Sequence, residues 1–249
     1  MPMRGQTVAL SIGTSVIAAS IISFTVRYLL GDPFSGVTKE ITEVSHALSE
    51  NLNEAVTVLG SASSTGLLSI AVRRSDVQTD FFVEQIRTSR QNIDLLAYAM
   101  AFLPEHPATV PLLKERALTG CQIRILLGDP NGACIKARSV EEKFEGSIQS
   151  RIEATLARLE QLKGLPNVDI RFHDTPLYSS VYRFDSKMIV TPQLYGVRAA
   201  AAPLLYLARL EDGLFDRYLS HFDAIWSIPS TSPAKALTSM KKLSLRKPH

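Results

Sequence analysis

The chain of 249 residues is 45% hydrophobic, enough for a core, and its length leaves room for one soluble domain of ordinary size. Two cysteines, Cys121 and Cys134, exclude a disulfide framework. The formal charge of +3 is local rather than global: without Lys235, Lys241, Lys242, Arg246 and Lys247 it becomes −2, so nucleic acid is a poor partner for the domain itself.

Taken in chain order, Thr7 to Val26 is a run of twenty residues without a charge. A helix of that length reaches about 30 Å, the thickness of a hydrocarbon core, and predicts a single transmembrane anchor within residues 1–30. A cleaved secretory signal is the alternative, but the run is long for one and no small-x-small site follows it. Ser11, Ser15, Ala19 and Ser23 place small side chains on one face of that helix, a pattern that suits self-association into a homodimer. Between Val37 and Leu59 the residues Ile41, Val44, Leu48, Leu52, Ala55 and Leu59 recur every three or four positions, which predicts an amphipathic helix. It suits a juxtamembrane coiled coil or packing on its own domain. Gly60 to Gly66 then reads as a flexible joint, closing a linker region over 31–65.

From Leu67 strands and helices alternate. Strands are predicted over Leu67 to Val72, Ile93 to Met100, Gln122 to Leu127, Val168 to Phe172, Val181 to Val190 as one or two, and Leu204 to Leu207. Helices are predicted from a Ser75-x-x-Gln78 capping box through Ile86, from Thr109 to a stop at Gly120, across Ile148, Ile152, Leu156, Leu159 and Leu162, and across Leu214, Tyr218, Phe222 and Trp226. This alternation predicts an α/β layer, with helices on both faces of a largely parallel sheet, over residues 66–228. A basic tail follows over 229–249, suited to anionic lipid.

Ligands in such sheets bind outside the carboxyl ends of strands, which selects Tyr98, Asp129, Asn131, His173, Asp174 and Tyr178 to Asp185. No Walker loop, G-x-G-x-x-G, G-x-S-x-G or H-E-x-x-H is present, and the cysteines lack zinc spacing, so neither a cofactor nor a metal is expected.

The segment from Phe81 through Asn92-Ile-Asp-Leu-Leu-Ala-Tyr98, followed by Gly120-Cys-Gln-Ile-Arg-Ile-Leu-Leu-Gly-Asp-Pro130, resembles the opening of a phospholipase D-like domain. The resemblance covers roughly residues 66–228. It implies a layered phospholipase D-like sheet and a motif H-x-K-x4-D, whose His attacks phosphorus, with two copies of the motif usually brought together. Asp185 falls where the motif's Asp belongs, which puts Tyr178 at the His position and Ser180 at the Lys position. None of His46, His106, His173, His221 or His249 has a lysine two residues later. Tyrosine, with an ordinary pKa of ~10, is a poor nucleophile near neutrality, and serine brings no cation to a phosphate.

The expectation is therefore a single, catalytically degenerate half on a membrane anchor, with its soluble domain at the cytoplasmic membrane face. It would bind a phosphorylated ligand such as a nucleotide or a phospholipid headgroup through Asp129, Asn131, Tyr178, Arg183, Asp185, Lys187 and Tyr195. The alternative is a divergent phosphodiesterase, phospholipase or nuclease, active as a dimer, in which His173 supplies the nucleophile and Asp185 assists. A third possibility is an oligomerising adaptor.

Overall fold

A computed structural model describes residues 18–25, 28–29, 35–143 and 147–229 of the chain, which divides into two compact units, residues 1–60 and 61–249. Among the described residues no helix is long and apolar enough to cross a membrane. Of the apolar run, residues 18–25 are helical and exposed, while residues 7–17 and 26 lie outside the described residues, as does the tail from 230.

The helix expected from the apolar period is present as α1, Ser35–Thr65. It also takes in the stretch read from the sequence as a flexible joint. Ser64 and Thr65 turn their hydroxyls back onto the carbonyls of Ser61 and Ala62, so their polar groups are satisfied inside the helix. The helix stops at Gly66, whose φ of 79° opens the left-handed turn into the first strand; a Cβ there would lie 2.5 Å from the Ala208 carbonyl oxygen.

In the second unit seven strands form one sheet in the order β1-β7-β6-β5-β2-β3-β4. These are β1 (Leu67–Ala71), β2 (Asn92–Ala97), β3 (Gln122–Gly128), β4 (Val168–His173), β5 (Ser179–Phe184), β6 (Lys187–Pro192) and β7 (Leu204–Ala208). Only β2, β3 and β4 pair in parallel; β2 with β5, β5 with β6, β6 with β7 and β7 with β1 are antiparallel. The sheet is thus mixed, not largely parallel as the alternation suggested. Tight connections are the reason, since β5 turns into β6 through Asp185-Ser186 alone, a link far too short for a parallel crossover.

The pleat sends alternate side chains to two faces. Ile93, Leu95, Ile123, Ile125, Leu127, Phe172, Tyr182 and Ile189 face a large core. It is covered by α2 (Thr79–Thr88), α3 (Phe102–Glu105), α4 (Thr109–Leu118), α5 (Ala133–Glu141) and α6 (Ser147–Leu159). On α6 the buried Ile148, Ile152, Thr155, Leu156 and Leu159 trace one helical face. Leu96, Leu126, Val181, Met188, Val190 and Leu207 face the other side, where α7 (Leu214–Trp226) covers them with Phe215, Phe222 and Ile225. The expected capping box at Ser75 is instead a short 3-10 turn over Arg74–Asp76, and α2 begins only at Thr79, without a side-chain cap at Gln78.

This topology fixes which residues share an edge. The carboxyl ends of β2, β3, β4 and β6 lie at the same sheet edge as the amino end of β5, so Tyr98, Asp129, His173, Tyr178, Ser180 and Gln193 gather there. Asn92, Asp185 and Lys187 belong to the opposite edge.

Candidate functional site

At the first edge β5 presents Ser180 and Tyr182 on the face of the large core, while Val181 and Arg183 point away from it. Above Ser180 and Tyr182 opens a cleft holding about 500 Å³ of empty space, counted to its mouth. Arg74 enters from the turn after β1, Arg151 from α6, Phe102 from α3, and Gln193 from the end of β6.

The two arginines define the electrostatics. Among the described residues neither guanidinium has a carboxylate within ion-pair distance, although the domain pairs many of its other arginines. Arg74 lies 4.0 Å over the ring of Phe102. Burial pushes its pKa down and the nearby charge of Arg151 pushes the same way, opposed by Tyr182. An uncompensated pair of like charges beside a cleft favours an anion between them. The Tyr182 phenol is pushed up to about 12 by burial, partly offset by Arg74 and by a hydrogen bond with Ser180, so it stays protonated and can donate. Ser180 Oγ in turn accepts from the Gln193 amide at 3.0 Å.

A buried arginine holds this wall in place. Arg138 on α5 binds Glu142 at 2.9 Å and Glu141, and donates to the carbonyls of Leu194 at 3.2 Å and Val197 at 2.6 Å and to the Gln193 amide oxygen at 3.3 Å. Glu141 also accepts from the Gly196 N–H at 2.8 Å. Glu142, the one acid lining the cleft among the described residues, is thereby committed to Arg138. The loop after β6 is latched to α5, and Gln193 is oriented toward Ser180.

Of the residues singled out from the sequence, Tyr98, Ser180 and Tyr182 line the cleft, and the others fall elsewhere. Asp129 accepts from the Asn131 N–H at 2.9 Å and closes the loop after β3. Asp174 caps α5 from outside, accepting from the N–H groups of Cys134 at 2.9 Å and Ala133 at 3.0 Å. Burial would raise its pKa, but those bonds win and hold it below the usual carboxylate range. Gly132 makes this approach possible, since a Cβ there would sit 2.4 Å from the Asp174 Oδ1. Tyr178 and Tyr195 are exposed, at 75% and 88%, and neither lines the cleft.

Asp185 does a different job at the far edge. At φ 52° it makes the β5–β6 turn, and its carboxylate accepts three backbone N–H bonds, from Arg90, Gln91 and Asn92, each at 2.8 Å. Arg183 reaches the buried Asp94 at 2.9 Å, on the α7 side of the sheet. Lys187 stands near that same far edge, its ammonium 6.0 Å from the ring of Tyr206.

His173 is 4% exposed and does not line the cleft. Its ring lies beside Tyr98, its Nδ1 is 3.2 Å from the Thr175 hydroxyl, and its Nε2 is buried, with no close hydrogen-bond partner among the described residues. Burial drives its pKa down to about 4. The register sets His173 level with Gly128 and Asp185 level with Asn92, and the six-residue length of β2 separates those levels by roughly 20 Å. The two therefore cannot share a proton or a substrate atom, and the constellation His173 with Asp185 does not assemble.

Sequence reasoning missed Arg74, Arg151 and Gln193. The first and third follow the carboxyl ends of β1 and β6, so the rule that picked Tyr98 and Asp129 reaches them once those strand directions are known. Arg151 carries no such signal, because it enters from a helix.

No family model matches the chain, and no curated protein matches it in sequence. In fold, the chain is similar to several solved structures. TrmBL2, an archaeal chromatin protein whose structure is described as showing a novel mode of DNA binding, gives a TM-score of 0.45 at 11% identity, over 80% of this chain and 67% of that one. NucT from Helicobacter pylori gives 0.42 at 12% identity, over 66% of this chain and 97% of the other. Nuc from Salmonella typhimurium, a phospholipase D family member, gives 0.42 at 12% identity, over 66% and 98%.

Proposed function

We propose that the domain binds a phosphorylated ligand in the cleft of Arg74 and Arg151 and does not cleave it. The observation that carries this reading is the pair of guanidiniums that, among the described residues, have no acid partner, facing the Ser180 and Tyr182 hydroxyls across an open cleft. Guanidinium donors match phosphate oxygens in pairs, and hydroxyl and amide donors complete the shell. Hydrolysis needs a nucleophile, and among the described residues the cleft is lined by no His, Lys, Cys or Asp; burial holds the Tyr98 and Tyr182 phenols protonated, and Glu142 is bound to Arg138. The position that the phospholipase D-like motif gives to lysine is occupied by Ser180, which fits binding without turnover.

The apolar run Thr7 to Val26 supports placing this domain at the cytoplasmic face of a membrane, with the basic tail against anionic lipid. The ligand is then a nucleotide or a phospholipid headgroup. A thermal-shift screen of the purified chain against inorganic phosphate, nucleotides and soluble headgroup esters tests the reading. A ligand at a hundredfold excess over its dissociation constant stabilises by ~2.7 kcal/mol. The expected result is stabilisation by at least one phosphoryl compound, and no release of nitrophenol from bis-nitrophenyl phosphate. Turnover lost on His173→Ala would establish the phosphodiesterase alternative instead.

A further inference from the structure

The helix α1 carries a second device that the cleft does not use. From Ile41 onward a strict seven-residue repeat places Ile41, Val44, Leu48, Asn51, Ala55, Val58 and Ala62 at the two seam positions, with Leu52 and Leu59 directly beside them. Of the seven large apolar side chains in this span, Ile41, Val44, Leu48 and Val58 stand on the seam, Leu52 and Leu59 flank it, and Val56 stands off it. All are between 56% and 67% exposed. Helices of this kind gain their stability by burying the apolar face, so the face requires an occupant.

Charge chooses among occupants. The opposite face is self-paired, Lys39 with Glu43 at 4.0 Å and His46 with Glu50 at 3.6 Å. The charged side chains of the helix are otherwise Glu40 and Glu54, so the helix is acidic, and an acidic helix is repelled by the anionic lipid surface that a basic amphipathic helix seeks. Against an identical helix the pattern is permissive. In a parallel pair the flanking Glu40 and Glu54 oppose Ser45 and Leu59 of the second copy, and no like charges meet. The seam from Ile41 to Ala62 is about 32 Å long. With on the order of 100 Å² withdrawn per large seam side chain, twelve side chains bury about 1,200 Å², the size at which stable interfaces begin.

We propose that α1 pairs in parallel with the α1 of a second copy of this chain, as a two-stranded coiled coil. Asn51 then meets its own equivalent in the seam, where the two side-chain amides can pair. This pairing is independent of what the cleft binds.

The test is the mass of the full chain in solution, in mild detergent, by sedimentation or light scattering, with Leu48→Glu and Leu48→Glu/Val58→Glu as variants. A dimer is expected for the wild type, and a monomer for the double variant with the thermal transition of the 61–249 unit unchanged. Val44→Cys is expected to form a disulfide-linked dimer on mild oxidation, because seam residues face their equivalents only in a parallel register. A monomeric wild type overturns the proposal, whether the face then covers the chain's own domain or a different protein. A dimer unmoved by the double variant overturns it as well, and a dimer in which Val44→Cys fails to cross-link overturns the parallel arrangement.

Discussion

At the residue scale the central contrast is between arginines that are spent and arginines that are free to act. Arg138 is buried and bonded on every side, and it builds a wall; Arg74 and Arg151 face open space. Hydrogen bonds involving a charged group contribute about 1.5–3 kcal/mol each. Arg74→Ala and Arg151→Ala are each expected to weaken a phosphoryl ligand by roughly 10- to 150-fold while leaving the melting temperature within a degree or two, as calorimetric titration and melting of the same samples will show. Asp185→Ala is expected to do the reverse. It strands three N–H groups of the Arg90 to Asn92 turn and removes a residue type that tolerates a positive φ. A loss of about 2–3 kcal/mol in chemical denaturation, with ligand affinity unchanged, is the outcome that follows. The sequence placed Asp185 at a motif position, and the structure gives that position a purely architectural task.

At the scale of elements, α7 is fastened to the sheet by ions as well as by its aromatic face. Asp94 on β2 is 1% exposed and accepts from Arg124 at 2.6 Å and Arg183 at 2.9 Å; Arg124 reaches on to Asp223 of α7 at 2.9 Å. The guanidinium of Arg171 lies 4.0 Å from the Trp226 ring of the same helix. Removing the shared anion leaves Arg183 without an acid and Arg124 with Asp223 alone under α7, and Asp94→Ala is expected to cost about 3–5 kcal/mol by denaturant titration. The end of β4 adds a pH dependence. His173 is neutral when folded, with its pKa moved by burial from 6.5 down to about 4. Between those values the unfolded chain binds a proton that the folded chain refuses. Stability from this group is therefore complete above pH 6.5 and is lost as the pH falls toward 4, by up to about 3 kcal/mol. His173→Gln is expected to flatten the slope of stability against pH in that window, measured by urea midpoints at a series of pH values.

For the molecule as a whole, the strands were legible because their apolar runs are short and continuous, and each expected strand is present. Their directions were not legible. Hydrophobicity places Val181 to Val190 in a core but says nothing of the two-residue turn at Asp185-Ser186 that folds β5 back antiparallel to β6, one of four antiparallel pairings among the six in the sheet. Helix α5 went unseen because its sequence buries Ile135, Arg138 and Ser139, a set with no apolar period. The cleft was hidden for a related reason. Its two cations are 77 positions apart, one following an edge strand and one on a helix, and only the fold makes them neighbours. Of the residues that the sequence did single out, Tyr98, Ser180 and Tyr182 do line the cleft. The most direct test is the dissociation constant of inorganic phosphate, or of the best phosphoryl compound from the screen, for the wild type, the Arg74→Ala/Arg151→Ala double variant and Asp185→Ala. Binding by the wild type and by Asp185→Ala, with affinity lowered at least a hundredfold in the double variant, is the predicted result. Equal affinity in all three proteins would contradict the assignment of the cleft.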